Sequence, residues 1–199
     1  MTLTRQEEKA RLRAEQLALR DAMSEAERTA ANAAIFAHGL EAIAFKPDTI
    51  VSGFWPIRSE ADIRPLLEAL RQRGARIALP VVLDRQTIVF REVLPDAPVV
   101  KTGFGSYGPG PEAPEVAPEI LLLPLSAFDA EGHRIGYGGG YYDRAIERLS
   151  AAGSAPTLIG VAFAIQEVAS VPAEAHDRAM NAVLTESGLR WFRRAKMDE

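Results

Sequence analysis

The run Glu119–Pro124, EILLLP, constrains the fold more than any other stretch of this chain. Successive side chains of a strand point to opposite faces, so Ile120 to Leu123 would make both faces apolar. Such a strand belongs inside a sheet covered on both sides, the usual situation of parallel sheets in α/β proteins. A glycine-rich loop, Asp129 to Gly140, follows directly. It leads into a helix over 141–150 with Tyr142, Ala145, Ile146 and Leu149 on one face. Buried strands are also expected at Thr49 to Phe54, Arg76 to Leu79, Thr157 to Phe163 and Ala182 to Thr185, with a less buried one at Thr87 to Val93. A charged helix is expected from Thr4 to Met23. A second, opened by a capping box of Ser24 with Glu27, runs to about His38. A third carries the stripe Ile63, Leu66, Leu67, Leu70 and stops at Gly74. Ser59 and Asp62 read as helix caps. Pro95 to Pro118, rich in glycine and proline, reads mostly as loop. Strands alternating with helices predict an α/β chain: a three-layer α/β/α sandwich with a mostly parallel, Rossmann-like sheet, as one domain over 1–199.

Composition excludes several functions. The chain has 199 residues, a formal net charge of -4 and no cysteine. Disulfides, thiolate metal sites and a cysteine nucleophile are thereby ruled out. The acidic balance offers no global attraction for nucleic acid or an anionic membrane. The N-terminus lacks the apolar core of a secretory signal. A cytoplasmic protein is expected, acting on small molecules as a monomer.

The loop at the end of the EILLLP strand holds Gly136, Gly138, Gly139 and Gly140, with Arg134 just before them. Glycines permit positive φ and close backbone approach. Their N–H groups, with the N-terminal end of the next helix, can converge on phosphate oxygens. The same glycines could merely solve a packing problem between strand and helix. No Gly-Lys-Ser/Thr follows, so this is not a Walker A loop, and the Tyr-Tyr-Asp that follows fits a dinucleotide fingerprint poorly. Lys9 and Arg13, four apart, share one face of the first helix, which Arg5 extends; a solvated charged face has the same pattern.

The segment AFDAEGHRIGYGGGYYDR, Ala127 to Arg144, resembles the signature of the 5-formyltetrahydrofolate cyclo-ligase family. KARLR (Lys9 to Arg13), FWPIRSEADIRPLL (Phe54 to Leu67) and AEAHDRAMNAVLTE (Ala173 to Glu186) resemble further parts of that family, in the same order. The resemblance implies a Mg²⁺- and ATP-dependent enzyme that closes 5-formyltetrahydrofolate into 5,10-methenyltetrahydrofolate. It implies ATP contacts at Lys9, Ala10, Arg11, Leu12 and Arg13 and at Arg134, Ile135, Gly136, Tyr137, Gly138, Gly139, Gly140, Tyr141 and Tyr142. It implies folate contacts at Arg13, Trp55, Glu60 and Tyr137 to Tyr141. Magnesium would be held by Asp143 and Asp177, and Arg134, Tyr141 and Asp143 would be catalytic. Each residue has a plainer reading beside this one. Asp143 suits the first turn of any helix, Tyr142 fits the apolar stripe, Trp55 could fill a strand end, Glu60 could be a helix N-terminal acid and His176 an ordinary surface histidine.

The chain departs from the family pattern in two places. Tyr107-Gly108-Pro109 stands where many members carry an acidic Glu-Pro pair, and Asn181 stands where an aspartate is common. Rival readings are a paralogue acting on another formyl or formimino compound, a non-catalytic folate or nucleotide binder, and a sugar-phosphate isomerase-like enzyme.

Overall fold

The structure, a computed structural model, describes residues 4–95, 97–102, 106–174 and 177–192. Two long helices open the chain, α1 (Arg5–Ala22) and α2 (Glu25–Ala42). Both begin with a capping box. Thr4 and Ser24 accept from the backbone N–H groups of Glu7 and Glu27, whose carboxylates reach back to the cap N–H at 2.8 Å in each case. The two signatures sit twenty residues apart, so the break between the helices is written in the local sequence. α2 runs past His38 because Gly39 is buried against Leu66. A Cβ at that glycine would stand 2.7 Å from a Leu66 methyl, so glycine is what lets α2 approach the helix carrying Leu66.

Seven strands form the main sheet. They are β1 (Ile50–Ser52), β2 (Arg76–Val82), β3 (Ile88–Glu92), β6 (Ile120–Pro124), β9 (Thr157–Val161), β10 (Ala182–Thr185) and β11 (Gly188–Trp191). Their order is β11-β10-β9-β6-β1-β2-β3. The five inner strands are mutually parallel, and β3 and β11 pair antiparallel at the two edges. α3 (Arg64–Gln72) and α4 (Tyr141–Ala151) lie on opposite faces. Along β6 the expected split is observed. Ile120 and Leu122 join the core under α2 and α3, with Ile35, Leu66 and Leu70. Leu121 and Leu123 join the core under α4, with Ala145 and Ile146. Leu121, Leu122 and Leu123 are 0% exposed, and each such burial contributes about 1.5–3 kcal/mol. The α/β/α layering with a mostly parallel sheet is therefore present. Among the described residues no helix is long and apolar enough to cross a membrane.

Three features escaped the sequence reading. Pro95 to Pro118 is not simply loop, since it contains the hairpin β4 (Val99–Lys101) and β5 (Tyr107–Pro109). Gly108 brings that hairpin onto β2: a Cβ there would stand 3.2 Å from the Pro80 carbonyl oxygen. The glycine-rich loop similarly contains the two-residue pair β7 (Ala127–Phe128) and β8 (Arg134–Ile135), and β11 closes one edge. Pieces this short are specified by what they pair with, not by local propensity.

Candidate active site

β1 is flanked by β2 on one side and β6 on the other, and the chain leaves it in opposite directions. In open α/β sheets a crevice forms at such a switch point, beyond the carboxyl ends of the strands. A cavity of about 720 Å³ lies there, within the size range of small-molecule sites. Phe54 and Trp55 follow β1, Pro80 and Val82 end β2, and Pro124 ends β6; all line the cavity.

One wall is the glycine loop, from Ile135 into the first turn of α4. Gly138 (φ 93°) and Gly140 (φ 63°) adopt left-handed conformations, which side chains with a Cβ resist. Gly140 precedes α4 and leaves its first N–H groups without a side-chain cap. The loop is held from outside. Ser126 donates its hydroxyl to the Ile135 carbonyl at 2.8 Å, and Arg13 Nε donates to the Gly136 carbonyl at 2.7 Å.

Positive charge is laid along this wall and matched by carboxylates. Arg134, its side chain 6% exposed, pairs with Asp143 at 2.7 Å and donates to the Arg178 carbonyl. Lys9 on α1 lies between Glu174 (2.7 Å) and Asp177 (2.6 Å). Burial draws the Lys9 ammonium down. The hydrogen bonds and charges of Asp177 and Glu174 outweigh it and hold the group above the usual lysine range. The Arg178 N–H also points at Asp143, at 3.4 Å, so the chain beside Asp177 runs next to Asp143. Among the described residues no three His, Asp or Glu side chains form a ready-made metal cage. Two carboxylates facing one cavity are nonetheless a donor set that Mg²⁺ accepts when phosphate oxygens and water complete its shell.

A second set of lining residues is aromatic, with one acid beside it. The Trp55 ring lies 6.1 Å from that of Tyr107, tilted by 41°, and the Arg64 guanidinium sits 5.3 Å from its centre. Glu60 ends the turn Ile57–Glu60, in which Arg58 takes φ 53°. One Glu60 oxygen accepts the Ile57 N–H at 2.8 Å, the other the Tyr137 hydroxyl at 2.6 Å. Burial raises the Glu60 carboxyl above its usual range, against the lowering by Tyr137, Ile57 and nearby Arg20 and Arg58. Tyr142 is packed into the α4 core as its apolar stripe suggests, but its hydroxyl is buried without a partner beside the cavity, and burial pushes its pKa far up.

Of the residues singled out from sequence, Lys9, Arg13, Trp55, Glu60, Asp177 and every position from Arg134 to Asp143 line this one cavity. Ala10, Arg11 and Leu12 do not. Arg11 points outward to Glu15 at 2.9 Å, Ala10 is exposed, and Leu12 packs on Ala127, Ile135 and Val171. A helix presents only every third or fourth residue to a ligand. His176 lies outside the described residues. Asp62 is not the N-cap of α3, a position Ile63 holds; it accepts the Arg64 N–H at 3.1 Å and pairs with the Arg64 guanidinium. Ser59 is no helix cap: it accepts from Arg20 at 3.0 Å and donates to Asp21. Glu60 lies four residues before α3 and is not its first-turn acid. Sequence reasoning missed Tyr107, Glu174 and Arg144 on the cavity wall and Arg20 behind it. For Arg20 there was a signal, since Lys9, Arg13, Gln16 and Arg20 fall on one helical face.

Comparison with known proteins gives the same picture. A family model described as the 5-formyltetrahydrofolate cyclo-ligase family matches residues 5–186. The 5-formyltetrahydrofolate cyclo-ligase of Haemophilus influenzae is 30% identical over 146 residues, 70% of this chain and 77% of its own length. That of Escherichia coli K12 is 32% identical over 143 residues, 69% and 78% respectively. The solved structure of the Aquifex aeolicus 5,10-methenyltetrahydrofolate synthetase superposes with a TM-score of 0.78 at 29% identity, covering 96% of each chain. A Mycoplasma pneumoniae 5,10-methenyltetrahydrofolate synthetase shares the fold, with a TM-score of 0.72 at 22% identity over 89% of this chain and 98% of its own. The matched span takes in both sets of lining residues, the α1 cations and the Asp177 segment, and on that match the chain belongs to the 5-formyltetrahydrofolate cyclo-ligase family.

Proposed function

We propose that this cavity binds Mg-ATP and 5-formyltetrahydrofolate side by side and converts them to 5,10-methenyltetrahydrofolate, ADP and phosphate. The formyl oxygen attacks the γ-phosphorus and ADP leaves. N10 then adds to the activated formyl carbon, the carbon–oxygen bond breaks, and phosphate departs with that oxygen, taking up the proton that N10 loses. A formamide oxygen is a poor leaving group, and phosphorylation is what makes its loss feasible. One observation carries this reading: the glycine loop with the cations Lys9, Arg13 and Arg134, and the aromatic and acidic groups Trp55, Tyr107 and Glu60, line one cavity of about 720 Å³.

The chain's task is to position and to neutralise, since phosphoryl transfer asks for in-line alignment and charge stabilisation more than covalent chemistry. Lys9, Arg13, Arg134 and the loop N–H groups hold the triphosphate. Asp143 and Asp177 would hold Mg²⁺, which spreads the charge building on the phosphates. For this, Arg134 and Lys9 exchange their present carboxylate partners for phosphate oxygens. Trp55 offers a flat face to the pterin ring, Glu60 accepts its N–H groups, and Tyr137 to Tyr141 lie where donor phosphate and formyl group meet. The hydroxyl of Tyr141 or the partnerless one of Tyr142 is within the wall to donate to a phosphoryl oxygen. Every group in this proposal comes from one chain, which agrees with a monomer; the absence of cysteine suits a reducing cytoplasm.

The test is the near-ultraviolet absorbance of the conjugated methenyl product. Purified protein given 5-formyltetrahydrofolate and Mg²⁺ develops it only when ATP is added, with ADP released in equal amount. Product without ATP, or ATP and folate bound with no ADP released, would overturn the proposal.

A further inference from the structure

Arg20 does not line the cavity, and at 1% exposure it is among the most buried large side chains of the protein. Its guanidinium reaches two separate elements. Nε donates to Ser59 Oγ at 3.0 Å, in the turn after β1, and one terminal nitrogen donates to the Tyr137 hydroxyl at 3.0 Å, in the glycine loop. Arginine only donates, and a tyrosine hydroxyl has a single proton. With Arg20 filling its acceptor side, Tyr137 turns that proton to Glu60, at 2.6 Å. The chain of bonds thus has one direction, Arg20 to Tyr137 to Glu60. It fixes one carboxylate oxygen while the Ile57 N–H fixes the other at 2.8 Å. Two of roughly four acceptor positions on Glu60 remain for a ligand's N–H groups.

We propose that Arg20 is a positioning residue for the folate half of the site, acting through Tyr137 to hold the Glu60 carboxylate in accepting geometry. The inference rests on the functional reading above. It ties three stretches distant in sequence, at positions 20, 57–60 and 137, into one rigid acceptor. The planar fork of arginine suits this, because one lysine ammonium cannot hold both hydroxyls in fixed directions. Hydrogen bonds in such a series polarise one another, so removing any link loosens the terminal carboxylate.

The experiment is the cyclisation assay on wild type, Tyr137→Phe, Arg20→Gln and the double variant, with KM measured separately for each substrate. Tyr137→Phe keeps the ring and removes the relay hydroxyl, whereas Arg20→Gln cuts the relay without changing a cavity-lining residue. Loss of a hydrogen bond that orients a charged group predicts a rise of about tenfold or more in KM for 5-formyltetrahydrofolate. KM for ATP should move less than about threefold. Arg20→Gln should do the same, and the double variant should be no worse than Arg20→Gln alone, because both act on one path. A tie that merely anchors α1 would lower thermal stability and raise both KM values together. That result, or multiplying effects in the double variant, overturns the inference; if Arg20→Gln does not fold, Arg20→Lys, which keeps the charge and loses the fork, is measured in its place and decides. An inactive wild type would overturn the functional reading and this inference with it, whereas an active wild type without the KM split overturns the inference alone.

Discussion

Lys9→Met is the most informative single substitution on the nucleotide side. Methionine keeps the apolar stem of the lysine against α1's neighbours and removes only the charge. In the wild type the Lys9 side chain is 15% exposed, and its ammonium meets Glu174 at 2.7 Å and Asp177 at 2.6 Å. Charge-assisted hydrogen bonds of this kind are worth about 1.5–3 kcal/mol each when buried. The two carboxylates keep 31% and 19% exposure, so water recovers part of the loss. The net cost should be about 2 kcal/mol, below the about 3–6 kcal/mol that two fully buried bonds would give. For a chain of this size that lowers the melting temperature by about 4–8 °C. Because the same ammonium is assigned to the triphosphate, KM for ATP should rise by about tenfold or more, while KM for 5-formyltetrahydrofolate moves little. Thermal denaturation without ligands and steady-state kinetics with each substrate varied check the two halves. A variant with unchanged melting temperature refutes the energetic reasoning. Unchanged KM for ATP refutes the assignment of Lys9 to the phosphates.

Two further outcomes are expected. Asp143→Asn should keep the fold, since Arg134 retains the Arg178 carbonyl. Turnover should fall at least about tenfold even at saturating Mg²⁺; circular dichroism and turnover against Mg²⁺ concentration check it, and undiminished activity would remove Asp143 from the metal. Glu60 carries a sign that separates stability from function. Its folded pKa is raised, chiefly by burial, so the unfolded chain releases this proton first. The Glu60 contribution to stability is therefore most favourable below the usual glutamate pKa and declines as pH rises to the raised folded value. Folate binding behaves oppositely, weakening as pH falls through that raised value and the acceptor becomes protonated. Glu60→Gln should flatten both dependences in that window, and profiles identical to wild type would show that another group titrates.

Much of this protein is determined locally. The two capping boxes divide α1 from α2 without help from the rest of the chain. The apolar run of β6 demands cover on both faces, and α2 with α3 on one side and α4 on the other supply it. Gly138 and Gly140 are positions where the backbone can go left-handed without a Cβ clash, and it does so there, though not at Gly136 or Gly139. These features rest on backbone sterics, nearest-neighbour hydrogen bonds and hydrophobic period, which act over a few residues.

What the tertiary structure decided is partnership between distant segments. No local rule turns Arg11 outward and Lys9 inward on the same helix; the packing of Leu12 on Ala127, Ile135 and Val171 sets that rotation. Nothing near Pro95 to Pro118 specifies the β4–β5 hairpin, which lies where Gly108 fits against β2. The link from Arg20 through Tyr137 to Glu60 joins positions 117 and 77 residues apart. Side-chain contacts of that range depend on how the whole sheet assembles, because a directional hydrogen bond forms only once both ends are already held in place.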